Sequence, residues 1–155
     1  MIHQNDQRMT MLISPEEIPQ VSQDFMNNTH GEEVDIINQL FEEILAFEKG
    51  TSTVDKVDKL YQEWIAHTVE HFTTEEVEMI EAEFPPFPMH KEAHDKALQQ
   101  MNEVFDAWQK SREIKILKMY FIEVVPQWLI AHISSMDAMT ANFIGGGMMH
   151  AGSGF

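Results

Sequence analysis

The sequence predicts an all-α protein, folded as an antiparallel up-and-down four-helix bundle. Four long stretches of the 155 residues place apolar side chains at intervals of three and four, the spacing that lines one face of an α-helix. Short segments rich in glycine, proline, serine or threonine separate them. Connections this short make consecutive helices antiparallel neighbours. The length suits a single domain, with an arm over residues 1–20, the bundle over about 21–144 and a short flexible tail over 145–155.

The first helix follows an arm that contains two prolines and shows no helical periodicity. This helix should begin between Ser22 and Thr29 and end at Glu48, where Gly50 supplies a C-terminal stop. Several residue types that favour the N-cap position leave its start open. The candidates for this cap are Ser22, Asn27, Asn28 and Thr29.

The second helix should be capped by Ser52 or Thr53 and run to about Glu83. The segment Phe84-Pro85-Pro86-Phe87-Pro88 then breaks it. Proline lacks a backbone N–H, and it disfavours α geometry in the residue before it. A helix therefore cannot continue through this segment.

The third helix is predicted over roughly Met89 to Gln109, and Ser111 should cap the fourth. Gly145-Gly146-Gly147 should end the fourth helix. Within this helix Pro126 removes a backbone hydrogen bond and should bend it. The tail that follows is rich in glycine, and Met148, Met149 and His150 within it are expected to be flexible chain rather than a soft-metal site.

The charge of the chain argues against several classes of partner. Lysine and arginine number 10 and aspartate and glutamate 26, a formal net charge of −16. Such an acidic protein is not expected to bind nucleic acid or an anionic membrane surface. The most apolar stretch, Met119 to Ile133, contains Glu123 and Pro126 and is too short to insert into a membrane.

The chain contains no cysteine, which excludes disulfides and thiolate metal sites, including iron–sulfur and blue-copper centres. The first twenty residues do not combine a basic segment with an apolar run, so we expect no signal peptide. Both observations favour a cytoplasmic protein.

Histidines and carboxylates recur along all four predicted helices. They are His30, His71 with Glu75, His90 with His94, and His132 with Asp137. Residues four apart lie on one face of a helix, so each of the two middle pairs presents two ligands in the same direction. His132 and Asp137 are five apart, which in a regular helix separates them by about 140°. We therefore expect a π-type bulge between them.

These polar residues continue the apolar stripes of their helices and so occupy predicted core positions. One such pair alone would more often lie on a helix surface, and a lone histidine is more often a hydrogen-bonded core residue. Burying all of them without partners would cost several kcal/mol each, whereas a cluster of two metal ions satisfies them together. The Glu-x-x-His pairs of ferritin-like di-iron proteins and the His-Glu-x-x-His motif of zinc proteases do not occur around them.

The complete pattern resembles the bacterial hemerythrins. The matching residues are His30 with Asn38, His71-Phe72-x-x-Glu75-Glu76, His90-x-x-x-His94 and Trp128-Leu129-x-x-His132-Ile133-x-x-x-Asp137. The likeness covers about residues 20–143. It implies that His90, His94 and His132 hold one iron, that His30 and His71 hold the other, and that Glu75 and Asp137 bridge the two together with an oxo or hydroxo group.

The resemblance implies reversible O2 binding, for storage, delivery or carriage, and no catalysis. The iron with two histidines has an open coordination position for O2. By analogy with the family, Phe72, Trp128, Leu129 and Ile133 line the O2 pocket. Two alternatives are an O2 or redox sensor and a di-iron enzyme that reduces peroxide or nitric oxide. A protein partner cannot be named from the sequence.

Glu33 departs from the family pattern, which usually has an apolar pocket residue three positions after the first histidine. Because an exposed glutamate costs nothing, we expect the helix to turn Glu33 to solvent and Val34 inward. Alternatively, Glu33 lies in the pocket beside the open iron, where it is a ligand or a proton donor. His67, one turn before His71, is expected to lie outside the ligand set.

Overall fold

The computed structural model describes residues 11–146 and confirms an all-α four-helix bundle. Three of its helices are continuous: α1 (Asp24–Glu48), α2 (Val54–Glu81) and α3 (Phe87–Ser111). The fourth is a segmented rod. It consists of α4 (Ile114–Glu123), α5 (Val125–His132), a π-helical turn (Ile133–Asp137) and α6 (Ala138–Ile144). The predicted tail residues Met148, Met149 and His150 lie outside the described residues.

The buried face of α1 shows why these stretches become helices. Its buried side chains recur every three or four residues and form a stripe about two residues wide on each turn, which packs against α2 and α4. They are Met26, His30, Glu33, Val34, Ile37, Leu40, Phe41 and Ile44. The stripe mixes polar residues at the start of the helix with apolar residues further along.

Most helix ends follow the predicted signals. The Thr53 hydroxyl accepts a hydrogen bond from the Lys56 N–H at 3.2 Å and caps α2. Gly50 adopts φ +84°, a conformation that glycine reaches without a steric penalty, and ends the turn after α1. α3 begins two residues earlier than predicted, because Pro88 lies in its first turn, where a missing N–H breaks no intrahelical bond.

Two predicted caps were wrong. Gln23 occupies the N-cap position of α1, and its side chain makes no capping bond. The candidate Asn27 lies inside the helix and bonds the backbone of Val21 instead. Ser111 ends α3 rather than capping the next helix, since its hydroxyl donates to the Ala107 carbonyl at 2.9 Å. The N-cap position of α4 belongs to Glu113.

The fourth rod is interrupted near Pro126, as its sequence predicts. α4 ends at Glu123, and α5 restarts at Val125 with Pro126 in its first turn. The Gln127 side-chain amide donates to the Ile122 carbonyl at 3.5 Å, the carbonyl that a proline N–H cannot reach. The break leaves the ladder of backbone bonds intact on both sides.

The described part of the arm packs against α1. Its residues Pro15–Glu17 form one 3₁₀ turn, and Ile13 is completely buried. The Asn38 side chain accepts from the Ile13 N–H and donates to the Ile13 carbonyl, both at 2.9 Å. One amide thus satisfies both backbone groups of Ile13.

Aromatic packing fills the half of the bundle where α3 ends and α4 begins. Tyr61 stacks on Phe105 with 4.6 Å between ring centroids, and its hydroxyl donates to the Met101 carbonyl at 2.8 Å. Trp108 is fully buried and donates its indole N–H to Asp58 at 2.7 Å. The antiparallel order puts the start of α1 and α3 level with the end of α2 and of the fourth rod, where the predicted ligands lie.

The apolar rod extends from Ile114 to Ile144, beyond the stretch Met119 to Ile133, and by length and composition alone it is able to cross a membrane. The core helix of a soluble protein can be equally long and apolar. In this bundle, the rod carries His132 and Asp137 on its buried side.

Replacing Ile13 by alanine should lower the free energy of unfolding by about 2–5 kcal/mol, because a fully buried branched side chain leaves a cavity under the arm. Urea unfolding followed by circular dichroism measures this change. Met11→Ala, in the same arm but 42% exposed, is the control and should change it by less than about 0.5 kcal/mol. A change of less than about 0.5 kcal/mol in Ile13→Ala as well would show that the arm does not stabilise the bundle.

Candidate metal centre

The structure brings all seven predicted ligands together at one end of the bundle. Each is almost completely excluded from solvent, with an exposed fraction of 6% or less. α1, α2, α3 and the fourth rod all contribute. The residues are His30, His71, Glu75, His90, His94, His132 and Asp137.

The ligand atoms of these residues form two overlapping groups, each lying within 4.8 Å. One group contains His90, His94 and His132, and the other contains His30 and His71. Glu75 and Asp137 belong to both groups. The side chains therefore form two adjacent groups, each of which could hold a cation, and the two groups share two carboxylates.

All five imidazoles direct Nε2 toward the shared carboxylates. The shortest contacts are His71 Nε2 to Glu75 Oε2 at 2.8 Å and His30 Nε2 to Asp137 Oδ2 at 2.9 Å. His90 and His132 approach Asp137 Oδ1 at 3.1 Å each. His94 Nε2 lies 3.3 Å from Glu75 Oε1.

Several buried atoms of the cluster make no hydrogen bond of normal geometry to another described residue, although imidazole nitrogens lie 3.1–3.3 Å from the carboxylate oxygens. They are Glu75 Oε1, His94 Nε2 and Asp137 Oδ1. His90 Nε2 and His132 Nε2 face each other at 3.2 Å. Lone pairs that converge without donors are an unfavourable arrangement inside a protein, and a bound cation satisfies them. Nitrogen and oxygen donors suit a first-row metal such as iron, so the residues present fit the predicted centre.

The shared carboxylates are ionised. Burial alone would raise the pKa of Asp137, but hydrogen bonds from His132, His30 and His90 outweigh it and hold that pKa well below its ordinary value. The pKa of Glu75 is lowered in the same way, against its burial. Two buried negative charges need compensating positive charge, which protons on the imidazoles or metal ions can supply.

His71 shows how protons and metal compete for the site. Burial would lower its pKa, but hydrogen bonds to Glu33 and Glu75 outweigh burial and raise the pKa to about 10. An imidazole protonated on both nitrogens has no lone pair for a metal. Metal binding at His71 must therefore release a proton, and it is favoured as the pH rises.

A π-helical turn positions Asp137 beside His132, as the five-residue spacing predicts. The turn spans Ile133–Asp137, and it closes with a hydrogen bond from the Ala138 N–H to the Ile133 carbonyl, five residues back. The extra residue in this turn brings Asp137 onto the face of His132. Ser134 and Ser135, at the outside of the turn, are exposed.

Three of the imidazoles also make a polar contact through Nδ1, the outer nitrogen, which faces away from the shared carboxylates. His90 Nδ1 lies 2.8 Å from the Thr140 hydroxyl, and His94 Nδ1 lies 2.9 Å from Glu76 Oε2. His71 Nδ1 lies 3.4 Å from Glu33 Oε1. The sequence pattern predicts no role for Thr140 or Glu76. The position of Glu76, directly after a ligand, was the available signal for it.

The expectation that Glu33 faces solvent was wrong. Glu33 and Val34 are both buried, at 3% and 1% exposure, because the inward stripe of α1 is wide enough for two adjacent residues. Trp64 Nε1 and Thr68 Oγ1 donate to Glu33 Oε2 at 2.6 and 2.7 Å. Burial would raise the pKa of Glu33, but hydrogen bonds from His67 and His71 outweigh burial and lower the pKa to about 2.

His67 lies outside both groups of ligand atoms. Its imidazole is half-buried, with Nδ1 at 2.8 Å from Glu33 Oε1 and Nε2 at 3.5 Å from Glu32 Oε1. It therefore connects the buried Glu33 to the surface of the protein.

A small cavity of ≈ 40 Å³ lies beside the His71 side of the cluster. Of the predicted pocket residues, Phe72, Trp128, Leu129 and Glu33 line it, together with His71 itself. The lining is mostly apolar. The volume accommodates a molecule of only a few atoms.

Ile133, the remaining predicted pocket residue, is fully buried in the apolar core and does not line this cavity. Two of the lining rings also hold ligands in place. Phe72 stacks on His94 with 3.8 Å between centroids, and Trp128 stacks on His132 with 4.5 Å. The same side chains thus form the cavity wall and orient the imidazoles behind it.

Comparisons with known proteins agree with this geometry. The family model described as Hemerythrin HHE cation binding domain matches residues 21–143. A Bacteriohemerythrin from Aquifex aeolicus (strain VF5) is 35% identical over 135 residues, which cover 87% of this chain and 99% of that protein. A Bacteriohemerythrin from Ralstonia nicotianae (strain ATCC BAA-1114 / GMI1000) is 31% identical over 81 residues, covering 52% of this chain and 58% of that protein. No solved structure matches at a significant level.

Deleting Ser135 should convert the π turn into a regular α-helix. The bundle should keep its stability or gain some. Asp137 would then follow His132 by four residues and still lie on its face, but its carboxylate should shift along the rod by roughly 1.5 Å, which weakens metal binding. Thermal unfolding of the metal-free protein and metal titration measure the two effects separately. Ser135→Ala, which keeps the extra residue, is the matched control. Metal affinity equal to wild type in the deletion variant would show that the π turn does not set the position of Asp137.

Proposed function

Because the chain belongs to the hemerythrin family, we propose that it holds two iron ions and binds O2 reversibly. The observation that carries this proposal is the pair of overlapping ligand groups that share Glu75 and Asp137. His90, His94 and His132 would hold one iron, and His30 and His71 the other. When bound, the iron pair supplies the two electrons that reversible O2 binding requires.

The difference in ligand number supports a position for O2 on one side of the centre only. Three imidazoles serve one cation position and two imidazoles serve the other, so the second has fewer protein ligands. The cavity lies on this second side, since His71 belongs both to its lining and to the ligand group with His30. O2 would therefore reach the centre through the space next to His71.

The apolar wall of the cavity supports a binding function. Phe72 and Leu129 offer an O2-sized molecule apolar contact with no hydrogen-bonding group. A wall of this kind disfavours water and small anions, which promote irreversible oxidation of a reduced centre. Trp64 lines the same space, but its indole N–H is directed to Glu33.

The alternative of an enzyme that reduces peroxide or nitric oxide depended on Glu33 as a proton donor. Burial would raise the pKa of Glu33, but hydrogen bonds from His67 and His71 lower it to about 2, which favours the ionised carboxylate over the protonated acid. Both of its oxygens already accept hydrogen bonds. These contacts favour reversible O2 binding over a reduction that takes its proton from Glu33.

Anaerobically reduced, iron-loaded protein should gain a visible absorption band when O2 is admitted and lose it again under vacuum. Repeated cycles with little loss of amplitude are expected of a binding protein. Consumption of one equivalent of reductant in every cycle would instead indicate an enzyme. Absence of any O2-dependent band in protein that contains two irons would contradict the proposal.

Replacing His94 by alanine should reduce the iron content from two to one or fewer per chain, because that cation position loses one of its three imidazoles. The difference in thermal stability between iron-loaded and iron-free protein should shrink accordingly. Iron analysis after reconstitution measures the first effect. Asp95→Ala, at the exposed position next to His94, is the control and should retain two irons. Full iron occupancy in His94→Ala would refute the ligand assignment.

A further inference from the structure

Among residues 11–146, Glu33 is the one buried carboxylate near the centre that does not contribute to either group of ligand atoms. Four side chains surround its two oxygens. Oε2 accepts from the Trp64 indole at 2.6 Å and from the Thr68 hydroxyl at 2.7 Å. Oε1 faces the Nδ1 atoms of two histidines, His67 at 2.8 Å and His71 at 3.4 Å. The Trp64 indole, which can only donate, thus fixes one oxygen, and the other oxygen is directed at two imidazoles.

We propose that Glu33 is a positioning residue for metal binding at His71, which fixes the tautomer of that imidazole. A neutral imidazole carries its proton on one nitrogen, and the other nitrogen has the lone pair that binds a metal. A carboxylate only accepts, so its position beside Nδ1 keeps the proton on Nδ1 and leaves Nε2 free for the metal. The proposal rests on the proposed function insofar as His71 is a ligand.

Trp64 sets the orientation of the side-chain amide in a Glu33→Gln variant. The indole N–H is a donor only, so it always requires an acceptor at Oε2. In Glu33→Gln the amide must therefore turn its oxygen to Trp64 and its NH2 group to His71. An NH2 group beside Nδ1 favours the tautomer with the proton on Nε2, the atom that faces the metal. An uncharged substitution of nearly equal shape thus opposes metal binding.

Glu76 provides a matched comparison in the other ligand group. It lies 2.9 Å from His94 Nδ1, the same relation that Glu33 has to His71, but its side chain is 18% exposed. Among the described residues no indole holds its second oxygen. In Glu76→Gln the amide is free to turn its oxygen toward His94. The two glutamine variants should therefore differ in their effect.

The experiment is a titration of the metal-free protein with Co(II), followed by visible absorption, for wild type and for each variant. Glu33→Gln should lower the affinity for one of the two Co(II) ions by roughly 10–100-fold and leave the affinity for the other unchanged. Glu76→Gln should change either affinity by only a few-fold. Adding Trp64→Phe to Glu33→Gln removes the donor that fixes the amide, so the double variant should recover most of the lost affinity.

Recovery in the double variant separates a positioning role from a purely structural one, because a second core substitution would otherwise add to the damage. Wild-type Co(II) affinities in Glu33→Gln, or a double variant that binds no better than Glu33→Gln, would overturn the proposal. If Glu33→Gln does not fold, Trp64→Phe alone decides. The Trp64→Phe variant keeps the Glu33 carboxylate and must therefore bind both Co(II) ions with wild-type affinity. A lower affinity for either ion would refute the proposal that Glu33 fixes the tautomer of His71. Wild-type protein that takes up fewer than two Co(II) ions would refute the proposed function itself.

Discussion

The convergence of five imidazoles and two carboxylates inside an apolar bundle is the constraint on which the rest of the structure depends. Such a set is unfavourable inside a protein unless each group has a partner. The antiparallel order of the helices gathers the set at one end and leaves the opposite end to aromatic packing around Tyr61 and Trp108. The apolar half can thus stabilise the fold, while the polar half holds buried groups that a bound cation would satisfy.

The precision of the cluster comes from local departures from ideal helix geometry and from its outer partners. The π turn in the fourth rod moves Asp137 onto the face of His132. Thr140 and Glu76 hold the outer nitrogens of His90 and His94, and stacked rings support two of the imidazoles. Because these contacts restrict rotation of the rings, the ligand atoms are held in place before a metal arrives.

The two sides of the centre differ in ways that bear on function. The side with His30 and His71 has fewer imidazoles, borders the cavity and contacts Glu33. The Glu33 carboxylate places a negative charge beside the apolar cavity. Four side chains that contact its oxygens, those of Trp64, His67, Thr68 and His71, shield this charge from the cavity. The same carboxylate connects a candidate ligand to the half-buried His67, so this side of the centre has a polar link to the surface that the other predicted pocket residues do not provide.

The sequence by itself determined the fold class, the helical register and the residues that form the buried cluster. Apolar spacing is a local property of each helix, and ligands at four-residue intervals within an apolar stripe must face the core. Even the π turn followed from local geometry, since His132 and Asp137 cannot share a face at five-residue spacing in a regular helix. The same local signals misplaced Ser111 and the cap of α1, because a hydroxyl near a helix end can bond the helix before it or the one after it.

Only the tertiary structure decided the environment of Glu33. From sequence, the start of α1 could turn either Glu33 or Val34 inward, and a charged residue favours solvent. The packed bundle buries both, because Trp64 and Thr68 on α2 present donors at the depth of the carboxylate. Partners from another helix leave no periodic trace in the sequence of α1. For the same reason the cavity, which four helices enclose together, was only partly predicted, and Ile133 proved to belong to the core instead.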